Sequence, residues 1–245
     1  MCVAAVAWNA HPAWRLVCIG NRDEFHARPA APLARWEDKP GVIAGRDLTG
    51  GGTWLGVHEA GRFALVTNFR QPEGPQPGRP SRGGLVTDLL EGRVPHDVAR
   101  MNTFNVIHAD GDEAVFLTNY PDVRTFALRP GIHGLSNGGF HDRWPKTRQV
   151  EDALAGWLHA GSTDPAPLLD ALRAETPDPA LARPSEGPEP RFAPVFIRNP
   201  DYGTRCSTLI AIDADGAGII IERSYDPEGN AIGDARLAFH WPVAG

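Results

Sequence analysis

MCVAAVAWNAHPAWRLVCIGNRDEF, residues 1–25, holds two apolar runs, 2–8 and 14–20, separated by Asn9, His11 and Pro12 and followed at once by Asn21, Arg22, Asp23 and Glu24. Short apolar runs flanking turn-forming residues read as the two strands of a hairpin. The first strand then begins at Cys2, and the four polar residues gather near it, where the second strand leaves the core. Cys2 carries a further meaning. Removal of an initiator methionine requires a small second side chain, and cysteine qualifies. A terminal cysteine has a thiol and a free α-amine on one residue, so nucleophile and general base sit within hydrogen-bond reach without a histidine. The competing reading is a buried cysteine that opens a strand and is inert.

The rest of the chain bounds these readings. Its 245 residues suit one layered domain spanning 1–245. A net charge of −6 argues against a general nucleic-acid or anionic-membrane surface. Cys2, Cys18 and Cys206 are odd in number and lack C-x-x-C spacing, which points away from a disulfide framework or a zinc site and toward a reducing cytoplasm. The first apolar stretch has no basic flank and is broken by Asn9, His11 and Arg15, and no later run approaches the ~18 apolar residues of a membrane span. A soluble protein without a signal peptide or transmembrane segment is expected.

Further along, 22–52 is rich in Pro, Arg and Asp and reads as ordered loop. TWLGVHEAGRFALVTNF, residues 53–69, reads as a hairpin around Gly61. The Pro-rich and Gly-rich segment 70–81 follows, and Ser81 is placed to cap a helix over 83–91. FNVIHA, EAVFLTN, VRTFAL and IHGLSN, between 104 and 137, read as a four-stranded antiparallel meander. Apolar residues at Val150, Leu154, Trp157 and Leu158 predict a helix over 144–159, with a second, shorter one over 167–174. Residues 176–194 hold six prolines and read as a long loop, which with 70–81 could border a pocket. CSTLIAIDADGAGIIIERSY, 206–225, is a hairpin around Asp215-Gly216, and ARLAFHW, 235–241, a last strand. Blocks of strands followed by blocks of helices indicate layered α+β packing rather than a doubly wound parallel sheet.

Familiar site patterns are missing. Gly50-Gly51-Gly52 has no following G-K-[ST] and leads into a strand, so it reads as a turn rather than a phosphate loop. H-E-x-x-H, the EF-hand, G-x-S-x-G and C-x-x-C-H are absent, no histidine pair has metal-ligand spacing on a helix, and His108 reads as a structural residue. No required cofactor or metal is therefore expected. Polar groups at strand ends remain. Asn68 ends FALVTN and Asn137 ends IHGLSN, each an amide of the kind that stabilises a tetrahedral oxyanion or, equally, makes a turn. Arg205, before Cys206, could lower a thiol pKa or orient a carboxylate.

Together these residues resemble the NRDE family, also called the Transport and Golgi organization 2 family. The resemblance rests on the Met-Cys start, Asn21-Arg22-Asp23-Glu24-Phe25 with Arg28-Pro29, Gly51-Gly52-Thr53-Trp54-Leu55-Gly56, Thr67-Asn68, Gly134-Leu135-Ser136-Asn137 and Tyr202-Gly203-Thr204-Arg205, in order along nearly the whole chain. That family is similar in turn to N-terminal nucleophile hydrolases of the choloylglycine hydrolase and penicillin V acylase type. The resemblance implies a four-layer αββα sandwich of two antiparallel sheets flanked by helices. It also implies a candidate catalytic set of Cys2, Arg22, Asp23, Glu24, Asn68, Asn137 and Arg205. Cys2 corresponds to the nucleophile, Asn68 and Asn137 to two asparagines, and Arg205 to a late arginine. Where those hydrolases carry R-N-x-D this chain has Asn21-Arg22-Asp23-Glu24, so either Asp23 or Glu24 corresponds to the acid that holds the α-amine.

The implied activity is hydrolysis of a linear amide or related acyl compound after removal of Met1, with a small acyl or amide molecule as partner. The alternative it carries is a non-catalytic carrier or chaperone of haem or lipid-like hydrophobic ligands, since eukaryotic members are linked to secretory organisation, lipid metabolism and haem trafficking. A haem carrier would need an axial contact, for which His11, His58, His133 and His141 are candidates.

Overall fold

The structure is a computed structural model that describes residues 2–142, 144–180 and 188–242. In chain order the strands of its first half are β1 (Cys2–His11), β2 (Trp14–Phe25), β3 (Ala30–Arg35), β4 (Val42–Asp47), β5 (Leu55–His58) and β6 (Arg62–Asn68). Helix α1 (Arg82–Leu90) follows, then β7 (Phe104–Asp110), β8 (Glu113–Thr118), β9 (Arg124–Ala127) and β10 (Gly131–Leu135). Helices α2 (Pro145–His159) and α3 (Leu168–Ala171) precede β11 (Tyr202–Asp213), β12 (Ala217–Tyr225) and β13 (Ala231–His240). One antiparallel sheet has the order β10-β1-β2-β11-β12-β13 and the other β3-β4-β5-β6-β7-β8-β9.

The opening hairpin forms as its pattern requires, with Cys2 opposite Arg22 and Trp8 opposite Leu16, but its second strand runs on through the polar residues to Phe25. Every residue from Cys2 to Trp8 is buried, so β1 cannot be a sheet edge, where its peptide groups would lack partners. β10 supplies the missing neighbour, pairing Leu135 with Ala4. This corrects the expected four-stranded meander: β7, β8 and β9 form it, while IHGLSN crosses to the other sheet. The expected loop over 22–52 is likewise corrected, because it contains β3 and β4. β3 lacks a strand-like pattern because it is an exposed edge carrying Pro32, with its register broken between Ala31 and Ala34.

Three observations define the layers. Val3, Ala5, Val17, Ile19 and Leu209, on one face of the six-stranded sheet, pack against Val150, Leu154, Trp157 and Leu168 of α2 and α3. The opposite face, with Ala4, Val6, Leu16, Cys18 and Ile210, joins the larger core shared with the second sheet. On β4 the faces also separate: a Cβ at Gly45 would lie 2.9 Å from Glu222 of the six-stranded sheet, whereas Gly56, which pairs with Ala44, is covered by Leu90 of α1. The order is therefore α1, seven-stranded sheet, six-stranded sheet, α2 with α3, a four-layer αββα sandwich.

Ser81 caps α1 through a 3.4 Å bond to the Gly84 amide, and α2 spans Pro145–His159, both close to expectation. The helix expected over 167–174 shrinks to one turn because the Leu172 and Ala174 carbonyls accept from Asn21 Nδ2 and the Phe196 amide. Part of the expected loop 176–194 lies outside the described residues.

Candidate active site

The start of β1, the end of β2, the start of β11 and the ends of β6 and β10 meet at one end of the sandwich. Antiparallel register puts Cys2, Arg22 and Cys206 side by side on adjacent strands, so their side chains share the face turned to the second sheet. Alternation along β2 divides the polar tetrad. Asn21 points to the α2 layer, where Nδ2 donates to the Leu172 and Val195 carbonyls at 2.8 and 2.9 Å and Oδ1 accepts from Ser207. It is a fastener between layers. Arg22 points inward, and its Nη2 lies 3.2 Å from Asp47 Oδ2 on β4. Its Nη1 is buried with no hydrogen-bond partner among the described residues.

Asn137 stands behind Cys2. Its Oδ1 accepts from the Cys2 backbone nitrogen at 3.3 Å, its Nδ2 donates to the Asn68 carbonyl at 2.8 Å, and the neighbouring Ser136 hydroxyl donates to the Cys2 carbonyl at 2.9 Å. Asn137 is 1% exposed and does not line the cavity. Asn68 does line it, and among the described residues its side-chain amide makes no hydrogen bond. The two asparagines thus occupy different positions, one holding the Cys2 nitrogen and one lining the cavity.

Asp23 is buried. Its Oδ1 accepts from the Thr204 hydroxyl at 2.7 Å, and burial raises its pKa while the charge of Lys146 lowers it. Glu24 is more exposed, accepts from its neighbour's amide (Phe25, 2.9 Å) and sits 3.8 Å from both Arg22 and Arg28. Arg205 has surroundings other than a thiol or carboxylate. It is the bulged residue between Thr204 and Cys206 on β11, and its Nη1 donates to the carbonyls of Phe25, His26 and Arg28 at 3.0 to 3.1 Å. It holds the turn that follows the tetrad.

Cys2, Arg22, Asp23, Glu24, Asn68 and Arg205 all line one cavity of about 660 Å³. Gly50, Thr53 and Trp54 line it too, as do residues 79–83 at the start of α1. Burial pushes the Cys2 thiol up and the Asp23 charge adds to this, whereas the Asp23 amide and the Arg22 charge pull it down. The cavity lining contains no histidine. His11 lies on a separate hollow with Asn9 and Trp14, His58 accepts from the Ala60 amide, His133 bonds the Arg129 carbonyl and His141 packs edge-on to Phe140. Among the described residues no three His, Cys, Asp or Glu side chains converge as a metal site.

Two buried charges escaped the sequence reading. Lys146 on α2 is fully buried and donates to the Phe192 carbonyl at 3.3 Å. Burial lowers its pKa, and the charges of Asp23 and Cys2 raise it. Its signal was its spacing, since 146, 150, 154 and 157 fall on one helical stripe. Glu222 on β12 lies at the inner end of the cavity, where Oε1 accepts from the Leu33 amide at 2.8 Å beside Cys206. Burial raises its pKa and drives the Cys206 thiol well above its usual range.

A family model described as Transport and Golgi organisation 2 matches residues 1–227. The Bos taurus Transport and Golgi organization protein 2 homolog is 34% identical over 257 residues, covering 91% of this chain and 93% of that protein. The Homo sapiens homolog is 33% identical with the same coverage. Among solved structures, the Caenorhabditis elegans N-acylethanolamine-hydrolyzing acid amidase (NAAA) ortholog aligns with a TM-score of 0.49 at 10% identity, over 85% of this chain and 92% of that one. Matched by the family model over most of its length and by these relatives over nine-tenths of it, this chain belongs to the Transport and Golgi organisation 2 family.

Proposed function

We propose that the protein is a cysteine-dependent acyl hydrolase that acts on an amide or related acyl compound once Cys2 is the N-terminal residue. The observation that carries this reading is the setting of Cys2: its nitrogen is held by Asn137 Oδ1 at 3.3 Å, while the residue faces a cavity it shares with Arg22. With Met1 removed, that nitrogen becomes an amine already oriented by Asn137. An amine of reference pKa about 7.7–8.0 takes the proton of the thiol, at a cost set by the burial that holds the thiol above its ordinary value of about 8.5. The Arg22 guanidinium favours the resulting thiolate.

The thiolate attacks the substrate carbonyl, a C–S bond forms, and the carbonyl π electrons move to oxygen. The amide of Asn68 donates to that oxyanion. On collapse the C–N or C–S bond to the leaving group breaks, and the Cys2 ammonium gives it the proton. Water, deprotonated by the same amine, then attacks the thioester, releases the acid and restores the thiol. Asn137 is a positioning residue here, Arg205 fixes the turn that follows Glu24, and Asp23 supplies a buried acid near the amine.

Cys2, Cys18 and Cys206 are free thiols, which supports a reducing, cytoplasmic setting. No helix among the described residues is long and apolar enough to cross a membrane. The carrier alternative shares the cavity, and none of the four candidate histidines lines it.

The test pairs intact-mass analysis of the processed protein with hydrolysis of a panel of N-acyl amides and acyl thioesters. Loss of Met1, an acyl adduct mapping to Cys2 and loss of turnover in Cys2→Ala support the proposal. Turnover that persists in Cys2→Ala overturns it.

A further inference from the structure

We propose that the cavity wall built by the start of α1 is a subsite for a negatively charged group, so that the substrate is an anionic acyl compound carrying a carboxylate or a phosphate. The inference builds on the hydrolase reading by naming the class of compound presented to Cys2. It begins with two arginines. Arg79 and Arg82 both line the cavity, and among the described residues neither forms an ion pair. Each spends one nitrogen on a backbone carbonyl: Arg79 Nη1 donates to Met101 at 3.2 Å and Arg82 Nη1 to Thr103 at 3.3 Å. These bonds anchor the guanidinium groups without pairing either with a carboxylate. Arg82 is mostly buried, which lowers its pKa, and the charges of a Cys2 thiolate and of Glu24 both act on it.

The backbone adds to this field. Ser81 caps α1 by accepting from Gly84, and among the described residues the Arg82 and Gly83 amides ahead of it have no partner. No acidic residue occupies the first turn of this nine-residue helix. Its positive end therefore opens onto the cavity uncompensated. The wall is also firmly seated, because Gly52 packs directly on the Gly83 backbone and the Thr53 amide donates to the Gly83 carbonyl at 3.3 Å.

An independent observation comes from the side of the cavity nearest Cys2. Arg22 is 8% exposed, lines the cavity and, among the described residues, holds Nη1 buried without a partner. A buried guanidinium nitrogen left unbonded is costly, and an anion would satisfy it. The acidic residues of the cavity do not cancel this surplus. Asp47 is matched by Arg28 and Arg22 and accepts the Thr49 and Gly50 amides. Asp234 is paired with Arg223, and Glu24 sits between Arg22 and Arg28. Asp23 and Glu222, the remaining acids of the lining, are buried with their pKa values raised, which leaves Arg79 and Arg82 as charges without an ion-pair partner among the described residues.

The experiment compares alkylation of Cys2 by iodoacetate and by iodoacetamide, read by peptide mass mapping, in the full chain. The ratio of the two rates cancels differences in thiol reactivity and isolates the response to charge. In the wild type the ratio should exceed that of glutathione by about tenfold, the scale of one charge-assisted hydrogen bond, and should fall with added salt. Arg79→Gln/Arg82→Gln should bring it to the glutathione value, Arg79→Lys/Arg82→Lys should keep most of it, and Arg124→Gln, on distant β9, should leave it unchanged. A wild-type ratio equal to that of glutathione overturns the subsite, as does an unchanged ratio in the Gln pair. Protection of Cys2 from iodoacetamide by inorganic phosphate but not acetate assigns a phosphate; equal protection assigns a carboxylate; protection by neither overturns the proposal. Alkylation needs neither Met1 removal nor turnover. An anion preference with no acyl adduct at Cys2 would remove the hydrolase reading alone, whereas acylation without charge preference would remove this one alone.

Discussion

Lys146→Met is the most revealing single change, because it removes one buried charge and leaves the helix and its packing volume in place. Lys146 has no exposed surface, and its ammonium donates its hydrogen bond to the Phe192 carbonyl rather than to a carboxylate. Asp23 is nonetheless the charge that most favours its ionised form, and Lys146 in turn favours ionised Asp23. Removing one member of a buried charge pair costs about 3–5 kcal/mol, because the other is left uncompensated. Here the coupling acts through space and methionine also avoids the burial of an ammonium, so a loss of about 2–3 kcal/mol at neutral pH is expected.

The pH dependence separates this cause from a packing defect. Burial holds Asp23 above its unfolded value, so the folded state loses stability as pH rises from about 4 through the folded pKa. Without Lys146 that pKa moves higher still, and the loss at neutral pH grows. Below the unfolded pKa the carboxyl is protonated in both states and the term vanishes. The Lys146→Met deficit should therefore shrink on acidification and be largest near pH 7. Urea melts at several pH values measure it, and Asp23→Asn supplies a double-mutant cycle. A deficit independent of pH, or additive effects of the two substitutions, would refute the coupling.

Three further outcomes follow from the same geometry. Glu222→Gln keeps the acceptor for the Leu33 amide, and because burial raises the Glu222 pKa, wild-type stability falls as pH rises past the ordinary carboxyl value. The variant lacks that loss, so its stability relative to wild type should climb by about 1–2 kcal/mol between acid and neutral pH in urea melts. Gly52→Ala would put a Cβ 2.2 Å from the Gly83 carbonyl carbon, a backbone atom that cannot turn aside, and should cost about 3 kcal/mol by displacing the start of α1. Under the hydrolase reading Asn68→Leu should slow Cys2 acylation about 10²-fold at nearly unchanged Tm, whereas Asn137→Leu, which breaks the bonds to the Cys2 nitrogen and the Asn68 carbonyl, should lower both rate and Tm.

What could be read in advance follows from whether the signal is local. The Cys2 hairpin was legible because its two apolar runs and turn lie within the first 25 residues. The α2 stripe and the Ser81 cap were legible for the same reason. The division of Asn21 and Arg22 between layers was not, since alternation fixes their opposition but only the pairing with β11 and β1 says which face is which. β10 was misplaced for a related cause: nothing in IHGLSN distinguishes pairing with β9 from pairing with β1.

Lys146 and Glu222 mark the boundary more sharply. Both occupy positions that the periodic pattern assigns to the core, Lys146 in line with Val150 and Leu154, and Glu222 two residues beyond Ile220 on the inward side of β12. A charge standing where the pattern demands an apolar residue must be neutralised, paired or functional, because isolated burial is too costly. That half of a buried site can be read from sequence. Its partners cannot, because Asp23 reaches Lys146, and Leu33 reaches Glu222, only through the order in which remote strands and helices stack. The candidate site is thus visible in sequence as unexplained charges in apolar stripes, and becomes chemistry only when the layers bring their counterparts beside them.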